Sequence, residues 1–234
     1  MHNFWKELLV ISPILIILVF AAIERYKRYL DNKNTLPHKV VCDKLSDYYW
    51  GMSAWSAPMD ENIQVKEKLE MTVYGEITYE GMRLLAKKLA LTKKDVFYDL
   101  GSGAGKLVAY MYLATPIKKS VGIEMVGKRH KIALWAKEYL KLDGLLDPKR
   151  ELNFIHNNIR LEDFSDATVI YMASLCFLDE LMEELNQKFA QLKPGLRIIS
   201  LRVLPKHPRL VFVEEDLLPM TWTRHSLIYH YKLV

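Results

Sequence analysis

Val96-Phe97-Tyr98-Asp99-Leu100-Gly101-Ser102-Gly103-Ala104-Gly105-Lys106 is the stretch that decides the fold. Apolar and aromatic residues run into an acid. Three glycines follow at alternate positions, and an apolar helical pattern continues from Leu107 to Leu113. That order reads as strand, tight turn, helix. Glycine at 101, 103 and 105 lets the backbone reach positive φ and lets a ligand come close to the main chain. The helix behind it offers free N–H groups and a positive dipole end. A phosphate-binding P-loop, G-x-x-x-x-G-K-[ST], does not fit, because Leu100 and Leu107 stand where Gly and Ser or Thr are needed. The dinucleotide fingerprint G-x-G-x-x-G has its third glycine one position later. The blander reading is a glycine-rich turn with no ligand.

Outward from the loop, the chain alternates strand and helix. Ser120 to Ile123 is a second strand ending in Glu124, ~20 residues beyond the loop, where a doubly wound fold puts an acid on ribose hydroxyls. A carboxylate accepts both hydroxyl hydrogens, which explains the residue type. Lys128 to Leu140 reads as a helix with its cations outward. Asn153 to His156 reads as a third strand followed by Asn157 and Asn158. An amide there suits an adenine edge; the alternative is a turn-forming Asn pair. Ala167 to Met172 and Leu196 to Leu201 are further strands, flanking a helix from Leu178 to Leu192 and the turn Pro194-Gly195. Arg209 to Val213 and Leu227 to Leu233 close the sheet as an antiparallel pair. The expected class is α/β, a three-layer sandwich on a mostly parallel sheet. Upstream, Gly81 to Leu91 is an amphipathic helix.

The 234 residues suit one domain with appendages, and half of them are hydrophobic. A formal net charge of +5 permits an anionic partner or a membrane surface without demanding either. Cys42 and Cys176 form neither a metal spacing nor a disulfide framework, which favours a reducing compartment. Leu8 to Ile23 is apolar apart from Ser12 and Pro13. As a helix it spans roughly 24 Å, a little short of the ~30 Å hydrocarbon core. Arg25, Lys27 and Arg28 follow it, so a single-pass anchor would leave the rest of the chain on the cytoplasmic or organelle-matrix side. A cleaved signal peptide is the rival reading. The expected layout is an anchor over 1–30, a linker with short helices over 31–70, and the main domain over 71–234. The aromatics Tyr48, Tyr49 and Trp50 are expected to pack on that domain.

The form Asp99-x-Gly101-x-Gly103-x-Gly105 resembles motif I of the class I S-adenosylmethionine methyltransferases. That implies a Rossmann-like fold with S-adenosylmethionine as cofactor. More of the chain, roughly 70 to 232, resembles the catalytic domain of the disruptor-of-telomeric-silencing family, the non-SET histone-lysine methyltransferases. The carrying residues are Val73-Tyr74-Gly75-Glu76, Asp95 to Gly103, Val121-Gly122-Ile123-Glu124, the Leu185 to Ser200 helix–turn–strand, and Trp222-Thr223 with Tyr229. The resemblance implies transfer of a methyl group to a protein lysine. Together with the spacing read above, it gives an expected cofactor site of Tyr74, Gly75, Glu76, Ile77, Asp99, Gly101, Ser102, Gly103, Gly105, Lys106, Glu124, Met125, Asn158, Ile159 and Ala173. It also implies an acceptor channel lined by Trp222 and Tyr229; Phe177 is a further candidate for that channel, and Ser174 a candidate to hold the amine by a hydrogen bond. No metal is expected, and the chain is expected to be monomeric.

The departures bear on the substrate. Ala173-Ser174 stand where the family carries an Asn pair, Asn158 where it has an acid, and Lys106 where it has another polar residue. Binding to a nucleosome or nucleic acid through a basic tail is not expected. The expected partners are therefore a lysine-bearing protein and a membrane, through residues 8–23. The alternatives are a small-molecule or lipid methyltransferase, or a cofactor-binding scaffold without turnover.

Overall fold

The structure is a computed structural model that describes residues 35–52, 54 and 74–234, together with positions 17, 19 and 20. The chain divides into two units, Met1–Thr35 and Leu36–Val234. The expected anchor over residues 8–23 lies outside the described residues apart from those three positions, which are helical. Among the described residues, no helix is long and apolar enough to cross a membrane. Val73 also lies outside them.

The second unit begins with α1 (His38–Tyr48) and α2 (Tyr79–Leu89). There follow β1 (Val96–Leu100), α3 (Lys106–Ala114), β2 (Lys119–Glu124), α4 (Gly127–Leu142), β3 (Glu151–His156) and β4 (Val169–Met172). A short 3-10 turn (Ser174–Cys176), α5 (Asp179–Ala190), β5 (Arg197–Ser200), β6 (Leu210–Leu218) and β7 (Ser226–Leu233) complete it. The strands form one sheet in the order β3-β2-β1-β4-β5-β7-β6. The first five are parallel. β7 runs antiparallel to both of its neighbours, β5 and β6. The expected mostly parallel α/β sheet with an antiparallel C-terminal pair is therefore present. Strand order reverses between β1 and β4, and a crevice opens outside the carboxyl ends of strands at such a point.

Residue pattern explains the layers. Every residue of β1 and β4 is buried, as in a parallel sheet covered on both faces. Alternate residues feed opposite cores. Phe97, Val169, Tyr171 and Ile199 pack towards α1 to α4, whereas Tyr98, Leu100, Ile170 and Ile198 pack towards α5. α3 is buried from Leu107 through Leu113 and is apolar on all sides, the pattern of a core helix.

Two boundaries differ instructively from the sequence reading. α2 starts at Tyr79, capped by the Thr78 hydroxyl accepting the Gly81 N–H at 3.1 Å, and stops early because Ala90 takes a left-handed φ of 46°. β6 runs past the expected end at Val213 through Glu214-Glu215-Asp216 to Leu218. It is an edge strand, where charge on the solvent side is usual, and Lys88 of α2 pairs with Glu214 at 2.9 Å and Asp216 at 3.4 Å. α1 lies in the stretch read as linker with short helices, and it belongs to the unit that carries the sheet. Val41, Leu45 and Tyr48 are buried, and the Leu36 N–H donates to the Leu113 carbonyl at 2.9 Å. Tyr48 and Tyr49 pack as expected, whereas Trp50 is 86% exposed.

Candidate functional site

The site is built on the turn after β1. The Gly101 and Ser102 N–H groups both donate to the Ile123 carbonyl, at 2.9 and 3.0 Å, which folds the turn over the end of β2. Gly101, Gly103 and Gly105 all have positive φ, at 82°, 57° and 79°. The Gly103 N–H points at Glu124 and donates to Oε2 at 2.7 Å. Oε1 of Glu124 accepts the Val126 N–H at 2.8 Å. Burial raises the Glu124 carboxyl above its ordinary value, opposed by these N–H donors and by the Arg129 guanidinium. Burial, reinforced by the Glu124 charge, holds the Asp99 carboxyl well above the usual carboxylate range.

Residues 74–78 form the opposite wall. They are tied to the loop before β7. The Glu76 N–H donates to the Thr221 hydroxyl at 3.0 Å, the Thr221 N–H to the Glu76 carbonyl at 2.8 Å, and Ile77 bridges Met220. The Tyr74 hydroxyl donates to Glu76 Oε1 and accepts the Ala104 N–H at 3.2 Å. Glu76 Oε2 accepts from Lys106 Nζ at 2.6 Å. Lys106, the departure noted above, thus locks this wall to the start of α3. Glycine is required twice here: a Cβ on Gly103 would sit 2.6 Å from the Tyr74 ring, and one on Gly75 would overlap the Trp222 ring.

Between these walls lies a cavity of about 350 Å³, within the ordinary range for a small-molecule site. Its lining includes Glu124, Met125, Asn158 and Ile159, together with Ala173, Phe177 and Trp222. A smaller cavity of about 40 Å³ shares the Tyr74, Gly75, Gly101, Gly103 and Ala173 walls. It adds Glu76, Ile77, Asp99, Ser102 and Lys106. Most of the expected residues therefore converge.

Three do not line either cavity. Gly105 faces away: a Cβ there would overlap Phe154 and come within 2.9 Å of Ala133, so this glycine lets α3 pack on β3 and α4. Ser174 is fully buried. Its hydroxyl is shared with Ser200 at 2.7 Å and accepts the Arg202 N–H at 3.1 Å, so it braces β4 against β5 and is not free to hold an amine. Tyr229 sits mid-strand on β7, opposite Ser200 and Glu215, and packs on the α5-side core.

Other wall residues were not singled out from the sequence. Arg129 is 7% exposed, lines the large cavity and stands 4.4 Å over the Tyr74 ring. The signal was present. Arg129 occupies the face of α4 that buries Ile132, Ala133, Ala136 and Leu140, so helical spacing turns this cation inward. Leu175, Cys176 and Leu181 complete the apolar side, and Tyr171 lines the smaller cavity. Among the described residues, no group of three or more His, Cys, Asp or Glu side chains is placed to hold a metal.

The sequence profile of the family described as "Histone methylation protein DOT1" matches residues 57–217. The chain is similar to the H3 lysine-79 specific histone-lysine N-methyltransferase of Drosophila melanogaster, at 28% identity over 57% of this chain and 8% of that protein. The Caenorhabditis elegans protein of the same name is 32% identical over 63% of this chain and 16% of its own length. A protein-lysine N-methyltransferase of Saccharolobus islandicus is 28% identical over 58% of this chain and 80% of its own length. The chain thus spans less than a fifth of each of the first two relatives. A match over residues 57–217, taking in both cavity walls, assigns the chain to a family: it belongs to the DOT1 histone methylation protein family.

Proposed function

We propose that the chain is an S-adenosylmethionine-dependent methyltransferase acting on a protein lysine. The observation that carries this reading is Glu124. It is a buried carboxylate at the end of β2, clasped by the Gly103 and Val126 N–H groups, and it faces a cavity at the strand-order reversal. A nucleoside with free ribose hydroxyls satisfies the lone pairs that those donors leave over. Asn158, Met125 and Ile159 flank the space for its base. The Lys106–Glu76 ion pair and the Asp99 carboxyl line the smaller cavity, which suits an amino-acid end. When bound, the cofactor supplies a methyl group on a positively charged sulfur.

The chain's own part is orientation, water exclusion and control of the acceptor's proton. Phe177, Leu175 and Leu181 make an apolar wall against solvent. Trp222 covers Gly75 at the rim and is 44% exposed, so it can meet both the cavity and an incoming side chain. A lysine entering past it leaves water. Desolvation disfavours the ammonium and releases its proton to solvent before attack. No general base is then required. Trp222 and Phe177 carry the acceptor channel in this reading, with Tyr229 and Ser174 as support behind it. Similarity to proteins named for histone-lysine and protein-lysine methylation favours lysine over a small-molecule or lipid acceptor.

Trp222→Ala is expected to raise KM for a lysine-bearing protein acceptor about tenfold, the scale of one lost aromatic contact of ~1.4 kcal/mol. Cofactor affinity should change less than about threefold. Steady-state kinetics beside calorimetric titration check both, and an unchanged KM removes Trp222 from the channel. The membrane anchor over residues 8–23 is kept as part of this reading. It is supported by the 16-residue apolar run and the basic cluster behind it. The full chain should fractionate with membranes and resist alkaline extraction, and a chain lacking residues 1–30 should not; equal behaviour of the two counts against an anchor.

A further inference from the structure

Tyr171 lies on β4 directly beside Asp99 of β1, and the two are paired in the parallel ladder. Both project from the same face of the sheet, since residues opposite one another in a ladder share a face. Tyr171 is 2% exposed, and its ring packs with Phe97, Val169 and Ile199. Its hydroxyl is buried and has no hydrogen-bond partner among the described residues. Buried hydroxyls are nearly always partnered, because leaving one bare costs its hydration without return. The residue is one of those lining the smaller cavity, together with Asp99, Gly101 and Ala173. A phenylalanine would fill the core equally well, so packing does not account for the oxygen.

We propose that Tyr171 is a specificity-determining residue of the donor site, its hydroxyl accepting an N–H from the α-ammonium group of the cofactor's amino-acid end. This rests on reading the cavity as an S-adenosylmethionine site. Asp99 accepts a second N–H of the same ammonium and supplies the opposite charge. Burial and the neighbouring Glu124 leave Asp99 reluctant to ionise alone, and the ammonium restores its charged form. An arriving ammonium thus meets one acceptor that gains a counter-charge and one that gains its missing partner. A ligand without the amino group would leave both unsatisfied, and hydrogen-bonding sites reject such analogues strongly.

The test is Tyr171→Phe in the full chain, titrated with S-adenosylhomocysteine and with 5′-methylthioadenosine, which lacks the amino-acid end. The variant should bind S-adenosylhomocysteine about tenfold more weakly, the scale of one hydrogen bond to a charged group. Its affinity for 5′-methylthioadenosine should be unchanged. Without ligand, its melting temperature should be equal to or above that of the wild type, because an unpartnered polar atom has been removed. Unchanged affinity for S-adenosylhomocysteine overturns the assignment. So does an equal loss for both ligands, or a lowered melting temperature or failure to fold, each of which marks a structural hydroxyl. If the wild-type chain binds neither ligand, the donor-site reading falls and takes this inference with it. Binding by the wild type with no effect of the variant overturns the Tyr171 assignment alone.

Discussion

Glu124→Ala is expected to weaken S-adenosylhomocysteine binding by about a hundredfold or more, read by calorimetric titration. Hydrogen bonds to a charged group contribute roughly 1.5–3 kcal/mol each, and every ~1.4 kcal/mol is tenfold. In the proposed reading the substitution removes the acceptor for two ribose hydroxyls. It also strands the Gly103 and Val126 N–H groups that now donate to the carboxylate at 2.7 and 2.8 Å. The loop therefore loses its shape together with its ligand partner. Glu124→Gln keeps one carbonyl oxygen and should cost less, about tenfold by the same reasoning. A loss below about threefold in Glu124→Ala would show that the acid serves the loop and not the ligand.

Gly105→Val should have the largest effect on stability, about 2–5 kcal/mol by urea denaturation. A side chain in the left-handed region costs roughly 1–2 kcal/mol, and overpacking a tight core costs typically 1–3 kcal/mol more. Gly105 suffers both, with φ at 79° and Phe154 and Ala133 packed where a Cβ would go. Against a total stability of roughly 5–15 kcal/mol, that is enough to populate the unfolded chain. A change below about 0.5 kcal/mol would mean that α3 can move off β3 freely, which the packing does not allow.

These two variants separate roles that the sequence pattern merges. Gly101, Gly103 and Gly105 look alike as a motif, and all three take positive φ. Only the tertiary packing shows that the first two face the cavities and the third faces a phenylalanine. The strand–turn–helix order and Glu124 were legible because they depend on local spacing and on one loop. Ser174 misled because its partners are Ser200 and Arg202, 26 and 28 residues away, and no local signal pairs them. Tyr229 misled because the direction of a β residue depends on register. A shift of one residue would have turned it to the other face. The acceptor side was legible only through family resemblance.

Arg129 shows the reverse case, a signal present but passed over. Its helical spacing placed it inward, yet a run of cations on α4 reads as a solvated face. Its guanidinium over Tyr74 and near Glu124 links three walls of the site at once. Lys106 is the other cation that organises the cavity, through Glu76 at 2.6 Å, and it lies 5.2 Å from the centroid of the Tyr49 ring. A cofactor end carrying both charges is thus met by built-in charges of both signs.

In the proposed function the cavity beside Glu124 holds a methyl donor, and the chain passes the methyl group to a protein lysine. It is tested most directly by incubating the full chain with methyl-labelled S-adenosylmethionine and a whole-cell protein extract, beside Glu124→Ala. The labelled residue is then mapped by mass spectrometry. The predicted result is label on the ε-nitrogen of lysine in a protein, lost in the variant. Label confined to the organic-soluble fraction, no transfer at all, or equal labelling by wild type and Glu124→Ala would contradict it.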